Sequence, residues 1–183
     1  MIQWSYSSLK DFINCPKQYY EVKVAKSVTK KVTDNMLYGT EVHKAIEDYV
    51  REGKPLAKHY SHYKPVLDEL LSIPGNKYPE FQMGLKRDLT KCEFDAEDRW
   101  VRGIVDLLIV DGEDAFIIDF KTGNNKYPDP KQLRLMALMT SVARSAAPLG
   151  LRVGARREGA TISPASIDAS WSVIWRALRP KYF

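Results

Sequence analysis

"VDLLIVDGEDAFIIDFKTG", Val105 to Gly123, reads as two apolar strands joined by a polar turn. Each strand nevertheless carries an aspartate inside its apolar run, Asp106 in the first and Asp119 in the second, and Lys121 follows two residues later. The turn sets a register. Pairing Val110 with Ala115 across a four-residue loop, or Asp111 with Asp114 across a two-residue loop, makes paired positions sum to 225. Asp106 and Asp119 also sum to 225, so either loop sets the two acids opposite one another. Opposed side chains have Cβ atoms about 5 Å apart, and like charges there repel. Lys121, two residues beyond Asp119, falls on the same face. Two ionised carboxylates this close must take up a proton or share a cation. A hard divalent ion with oxygen ligands, Mg²⁺ or Mn²⁺, removes the conflict. Such an ion binds a phosphate oxygen and acidifies its water, and Lys121 would position that water or stabilise developing charge. The competing reading is a hairpin with its polar face in solvent and Lys121 as a salt-bridge partner. Against it, Ile104, Leu108 and Ile117 would share that face with the acids, which is poor alternation for an open strand.

Outward from the hairpin, the period is close to two over "EFQMGLK", "TKCEF" and "RWVRGIVDLLIV", linked by the short polar turns "RD" and "DAED". Successive strands of this kind predict an antiparallel meander. Upstream, "SYSSLKDFINCPKQYY" has serines suited to capping a short helix that Pro16 ends or kinks. Val42, Ala45, Ile46, Tyr49 and Val50 recur at helical spacing in Tyr38–Val50, which Gly53 and Pro55 stop. A further helix, Tyr63 to Leu71, precedes the breaker "IPGNKYP", and "KQLRLMALMTSVA" returns to helix. Helices, then strands, then helix predict an α/β sandwich with a mixed sheet.

The composition is that of a globular chain: 183 residues, 44% apolar, 28% charged. No apolar run approaches the ~20 residues needed to span a bilayer. The N-terminus lacks the pattern of a secretory signal, and two cysteines are too few for a disulfide framework, so a cytoplasmic location, in a bacterial cell or a phage-infected host, is the expectation. The net charge of +5 is unevenly placed. Residues 1–140 hold 21 Lys+Arg and 21 Asp+Glu; residues 141–183 hold 7 and 2. Basicity therefore says little about what the main body binds. Lysine dominates the first stretch and arginine the second, so 1–140 is read as the core. Residues 141–183 are read as an atypical Arg/Ala-rich basic tail, either flexible or the product of a reading-frame shift near residue 140.

The hairpin has a counterpart. "GIVDLLIV…AFIIDFKTG" resembles the motif pair of RecB-like nucleases in the PD-(D/E)XK superfamily, an acid on one strand and acid–x–lysine on the next. Three more stretches fit in order: "SSLKDFINCPKQYY" resembles the opening helix and its Cys–Pro segment, "GTEVHKAIE" the Gly–x–x–x–His helix, and "QLRLMA" the glutamine helix after the lysine strand. Met136 stands where that last motif has tyrosine. The resemblance covers about residues 5–140 and implies a restriction-endonuclease-like α/β sandwich, a central mixed sheet flanked by helices. It implies His43, Asp106, Asp119 and the backbone carbonyl of Phe120 as metal ligands, with Asp106, Asp119 and Lys121 catalytic. Gln132 would help seat DNA or the lysine, Glu80 is a weaker candidate beside the ligands, and Tyr19 could stack on a base. The implied activity is Mg²⁺- or Mn²⁺-dependent hydrolysis of DNA phosphodiesters by metal-activated water, as an exonuclease on single strands or duplex ends, in repair or recombination. The alternative is an inactive DNA-binding or assembly protein that keeps the fold. Some relatives hold an iron–sulfur cluster on four cysteines; with no cysteine after Cys92, no cluster is expected here.

Two motifs stay open. His59 and His62 have metal-like spacing but no cysteine pair nearby, and "KTGNNKYPDPK" reads either as a phosphate-contacting loop or as a plain connector. Tyr19 and Tyr20 are read as core.

Overall fold

The chain enters through a two-residue strand, β1 (Trp4–Ser5), and turns at once into helix α1 (Tyr6–Asn14). Ser5 caps that helix: its hydroxyl accepts the Ser8 N–H while the Ser8 hydroxyl accepts the Ser5 N–H, so two otherwise orphaned donors are satisfied. Extended Cys15 ends α1, and Pro16 opens the short helix α2 (Pro16–Tyr19), followed by a π-turn over Tyr20–Val24. Helix α3 (Asp34–Glu52) starts at Thr33, whose side chain accepts the Met36 N–H, and stops at Gly53, where φ is +68°. A 3₁₀ segment (Lys58–Tyr63) leads into α4 (Lys64–Ser72). Strands β2 (Asn76–Leu85), β3 (Lys91–Cys92), β4 (Val101–Asp111) and β5 (Asp114–Asp119) follow, then α5 (Pro130–Arg144) and β6 (Ser172–Ala177). This computed structural model describes residues 3–112, 114–122, 130–144 and 172–177. Of the sequence-based expectations, the tail over 145–171 and 178–183, and the connecting loop over 123–129, lie outside the described residues.

The strands form one sheet in the order β3-β2-β4-β5-β6, with β1 parallel to the start of β4 and the other pairings antiparallel. The sheet is therefore mixed and carries helices, as expected. Its connectivity differs from a simple meander. β4 pairs with β2 over nine positions, and β3 is left as a two-residue edge strand against Gly84 and Leu85. The reason is burial. β4 is apolar enough to bury both faces and takes the long β2 as its neighbour, whose end Met83–Leu85 is buried, whereas "TKCEF" has little to bury and keeps only Lys91–Cys92 in the ladder. β2 also begins at Asn76, inside the stretch read as a breaker. β6, within the stretch read as a tail, has its backbone paired with β5.

Two apolar layers sandwich the sheet. On one face Val101, Val105, Leu108 and Ile117 pack with Leu133, Met136 and Met139 of α5. On the other, Leu107, Ile109, Ile118 and Phe120 pack with Val42 and Ile46 of α3 and Leu67 and Leu70 of α4. Each such aliphatic residue contributes about 1.5–3 kcal/mol by leaving water. Gly103 lets α5 approach closely: a Cβ there would lie 2.7 Å from Met136 Sδ. Met136, where the related motif has tyrosine, is thus a flexible side chain filling the space above a glycine.

The face pattern of β4 slips by one residue at Asp106. Val105 and Leu108 both face α5, while Leu107 and Ile109 face α3 and α4. Glu80 of β2 lies opposite, because β2–β4 partners sum to 186, yet the ladder has no Glu80–Asp106 pair. Glu80 holds φ at +50°, a left-handed conformation that a side chain adopts only at a cost of about 1–3 kcal/mol. Both strands break their alternation at one point. That point is where the acids stand.

Candidate metal centre

The hairpin register is the one read from the turn: β4–β5 partners sum to 225, from Asp111↔Asp114 to Leu107↔Ile118. The ladder stops one pair short of the acids. Instead of meeting Asp119 across the sheet, the Asp106 carboxylate accepts the Phe120 backbone N–H at 2.5 Å. A charged acceptor in place of a carbonyl strengthens that bond and anchors the end of β5. The simple expectation of two carboxylates facing each other on one even strand face is corrected here, because the ladder ends first. Ile104 is 39% exposed, while Leu108 and Ile117 are buried under α5.

Asp106 meets His43 of α3, with Nδ1 and Oδ1 3.5 Å apart. Gly39, one turn earlier, faces the end of β5 closely: a Cβ there would lie 3.1 Å from Thr122 Oγ1, a tight contact. Phe120, 2% exposed, presents its ring edge-on to the His43 imidazole at 6.4 Å between centroids. The backbone of Phe120 thus borders the acids through its N–H. The hydrogen bond to Asp106 raises the His43 pKa above its ordinary value, against burial, which lowers it.

Glu80 closes the group from the β2 side. Ligand atoms of His43, Glu80 and Asp106 all lie within 4.8 Å of one another, each residue half-buried. Burial first, and the Asp106 charge second, push the Glu80 pKa up. The left-handed turn at Glu80 has support at its neighbour: the Arg51 guanidinium, on the last turn of α3, donates to the Pro79 carbonyl at 3.0 Å. An imidazole nitrogen with two carboxylates at such spacing is a donor set that a divalent ion fits and that three side chains without one fit poorly. Sequence reading ranked Glu80 below the other ligands, and Arg51 carried no signal at all.

Asp119 stands beside this trio. Lys121 Nζ is 2.6 Å from its Oδ2, and Gln132 Nε2, in the first turns of α5, donates to its Oδ1 at 3.0 Å. Burial raises the Asp119 pKa, Asp106 raises it further, and Lys121 opposes both. So the structure brings together His43, Glu80 and Asp106 on one side, and Asp119, Lys121 and Gln132 on the other, joined through Phe120. Tyr19 lies on α2 with its ring edge-on to Phe12. Tyr20, read as core, is 55% exposed, because the π-turn that starts there shifts the helical face. The rings of His59 and His62 meet those of Tyr60 and Tyr63 at a tilt, with centroids 3.9 Å apart in each case, as part of the 3₁₀ segment. No helix among the described residues is long and apolar enough to cross a membrane.

Comparison with known proteins gives one family. The sequence model of the PD-(D/E)XK nuclease superfamily matches residues 3–157, running past residue 140 into the Arg/Ala-rich stretch. No curated protein and no solved structure matches the chain.

Proposed function

The chain belongs to the PD-(D/E)XK nuclease superfamily, and from that premise we propose that it is a Mg²⁺- or Mn²⁺-dependent deoxyribonuclease, acting as an exonuclease. The restriction-endonuclease-like sandwich supplies the frame, and one observation carries the reading. His43, Glu80 and Asp106 converge on a shared point, with the Asp119–Lys121 pair alongside. The trio would hold the ion, with Asp119 and the Phe120 carbonyl available to complete its coordination. When bound, the ion neutralises the acids, polarises a phosphate oxygen and acidifies water.

The side chains divide the remaining work. Asp106 keeps the imidazole of His43 turned toward the acids and at the same time fixes the Phe120 peptide. Gln132 holds one oxygen of Asp119, leaving the other to Lys121. Lys121 then sets its ammonium where the nucleophilic water would sit and meets the negative charge that builds on the phosphoryl oxygens. Asp119 keeps that ammonium aimed at the water, which attacks in line and releases its proton to solvent. Removing Lys121 is expected to cost about 10²–10³ in rate, as for loss of one preorganised donor.

End-labelled single-stranded and duplex DNA, incubated with the full chain in Mg²⁺, Mn²⁺ or EDTA, tests the reading, with Asp119→Ala as the control. Metal-dependent shortening from an end, lost in the variant, is the expected result. A folded chain that holds DNA in EDTA and leaves it whole in both metals would instead be a binding protein that keeps the nuclease fold.

A further inference from the structure

Among the described residues, fourteen large hydrophobic side chains are exposed, and ten of them lie between Leu9 and Tyr38. Phe12 is 48% exposed, Ile13 69% and Tyr20 55%. Neither α1, α2 nor the π-turn fully buries a single side chain. Exposure concentrated in one segment of the chain, not scattered singly over the fold, points to a binding surface.

Its charge narrows the choice of partner. Residues 10–31 hold six lysines against two acids, and all six lysines are exposed. Both acids are engaged within the segment: Asp11 pairs with Lys30 at 3.3 Å, and Glu21 accepts the Ser27 hydroxyl. Among the described residues, Lys10, Lys17, Lys23, Lys26 and Lys31 have no ion pair. The surface is cationic and apolar at once. A nucleic-acid duplex offers phosphates but hides the faces of its bases, so the apolar part would gain nothing from it. A single strand offers both, and aromatic side chains between lysines are what such a strand stacks on.

The surface also leads to the right place. Leu37 and Tyr38 continue it on the first turns of α3, and the same helix carries His43. From Met36 to His43 the axial rise is about 10 Å, less than two nucleotides of extended strand.

We propose that the Leu9–Tyr38 segment is a binding surface for single-stranded nucleic acid that leads the strand to the metal centre. Its link to cleavage rests on the nuclease reading; binding itself does not. Fluorescence anisotropy with labelled oligo-dT of twenty nucleotides and a duplex of equal length, both in EDTA, tests it on the full chain. The single strand is expected to bind at least tenfold more tightly than the duplex. A Phe12→Ala/Tyr20→Ala variant is expected to weaken oligo-dT about tenfold or more while leaving the duplex unchanged. A Lys17→Gln/Lys23→Gln variant should flatten the dependence of log K on log salt by about 1.4, ~0.7 for each phosphate no longer neutralised. Equal affinity for duplex, or wild-type oligo-dT binding by the aromatic variant, overturns the proposal. So does a concentration-dependent dimer that the same variant breaks, which would assign the surface to a second copy. Cleavage separates the two ideas: single-strand binding without metal-dependent cutting sinks the nuclease reading alone, and cutting without strand preference sinks this one alone.

Discussion

Replacing Glu80 with glutamine distinguishes a metal ligand from a structural residue, because the two roles predict opposite signs. In the metal-free chain, burial and the Asp106 charge both disfavour the Glu80 carboxylate. Two unit charges about 5 Å apart repel by about 3 kcal/mol at an effective permittivity near 20, and the half-exposed position screens this further. Glutamine keeps the shape and removes the charge, so the metal-free melting temperature should hold or rise. With a divalent ion the sign reverses. At a hundredfold excess over its Kd, the ion stabilises the wild type by about 2.7 kcal/mol, or about 5–10 °C for a chain of this size. Losing one charged donor of three weakens the ion about tenfold, or ~1.4 kcal/mol, and so removes about half of that gain. Thermal melts in EDTA and across a Mn²⁺ series, for wild type and Glu80→Gln, measure both numbers. A variant that melts several degrees lower in EDTA while keeping the full Mn²⁺ gain would refute the reasoning, since Glu80 would then be structural.

The pH dependence follows from the same cluster. Glu80 and Asp119 have raised pKa values, chiefly through burial, and His43 has one through its hydrogen bond to Asp106. Each raised group binds its proton more tightly folded than unfolded, so its stabilising contribution is complete below the unfolded value and is lost as pH rises through the folded one. In EDTA, the wild type should therefore lose stability relative to Glu80→Gln as pH rises above the ordinary carboxylate range, as read by paired melts. Mn²⁺ affinity should climb over the carboxylate and histidine ranges, because binding must displace those protons, and calorimetry in two buffers would count them. Gly39→Leu should drive α3 away from Thr122 and lower Mn²⁺ affinity at least tenfold, with helix content by circular dichroism unchanged. Gly103→Val should overpack Met136 and Met139, costing about 1–3 kcal/mol. Adding Met136→Ala to that variant should restore part of the lost melting temperature, since the two side chains share one space.

The hairpin was legible because its pattern is local. A short polar turn between two apolar runs determines the register, and the sum of 225 holds throughout the β4–β5 ladder. The oddity of acids within apolar strands pointed to the place where the ladder ends. The pairing of β2 with β4 was not legible, because it joins residues far apart in the chain and "TKCEF" stands between them as a credible neighbour. Missing that pairing also left Glu80 ranked below the other acids, because its position opposite Asp106 appears only once partners are known to sum to 186. Pro79 compounded the problem. A proline removes a ladder donor and reads as a breaker, yet here it sits in β2 beside the one residue that leaves the ladder. Arg51 had no signature, since a charged residue near a helix end is ordinary until a carbonyl from another element is seen beside it. Tyr20 was misread as core because an aromatic ring is usually buried, whereas here it opens the π-turn and is 55% exposed.

The central claim is that the acids interrupt these strands because they hold a metal. Anomalous diffraction from Mn²⁺-soaked crystals of the chain, collected at the manganese edge, tests it most directly. The account predicts a peak bounded by His43, Glu80 and Asp106, absent from crystals of Asp106→Ala. A clean map around those three side chains at millimolar Mn²⁺, in a chain folded as described, would contradict it.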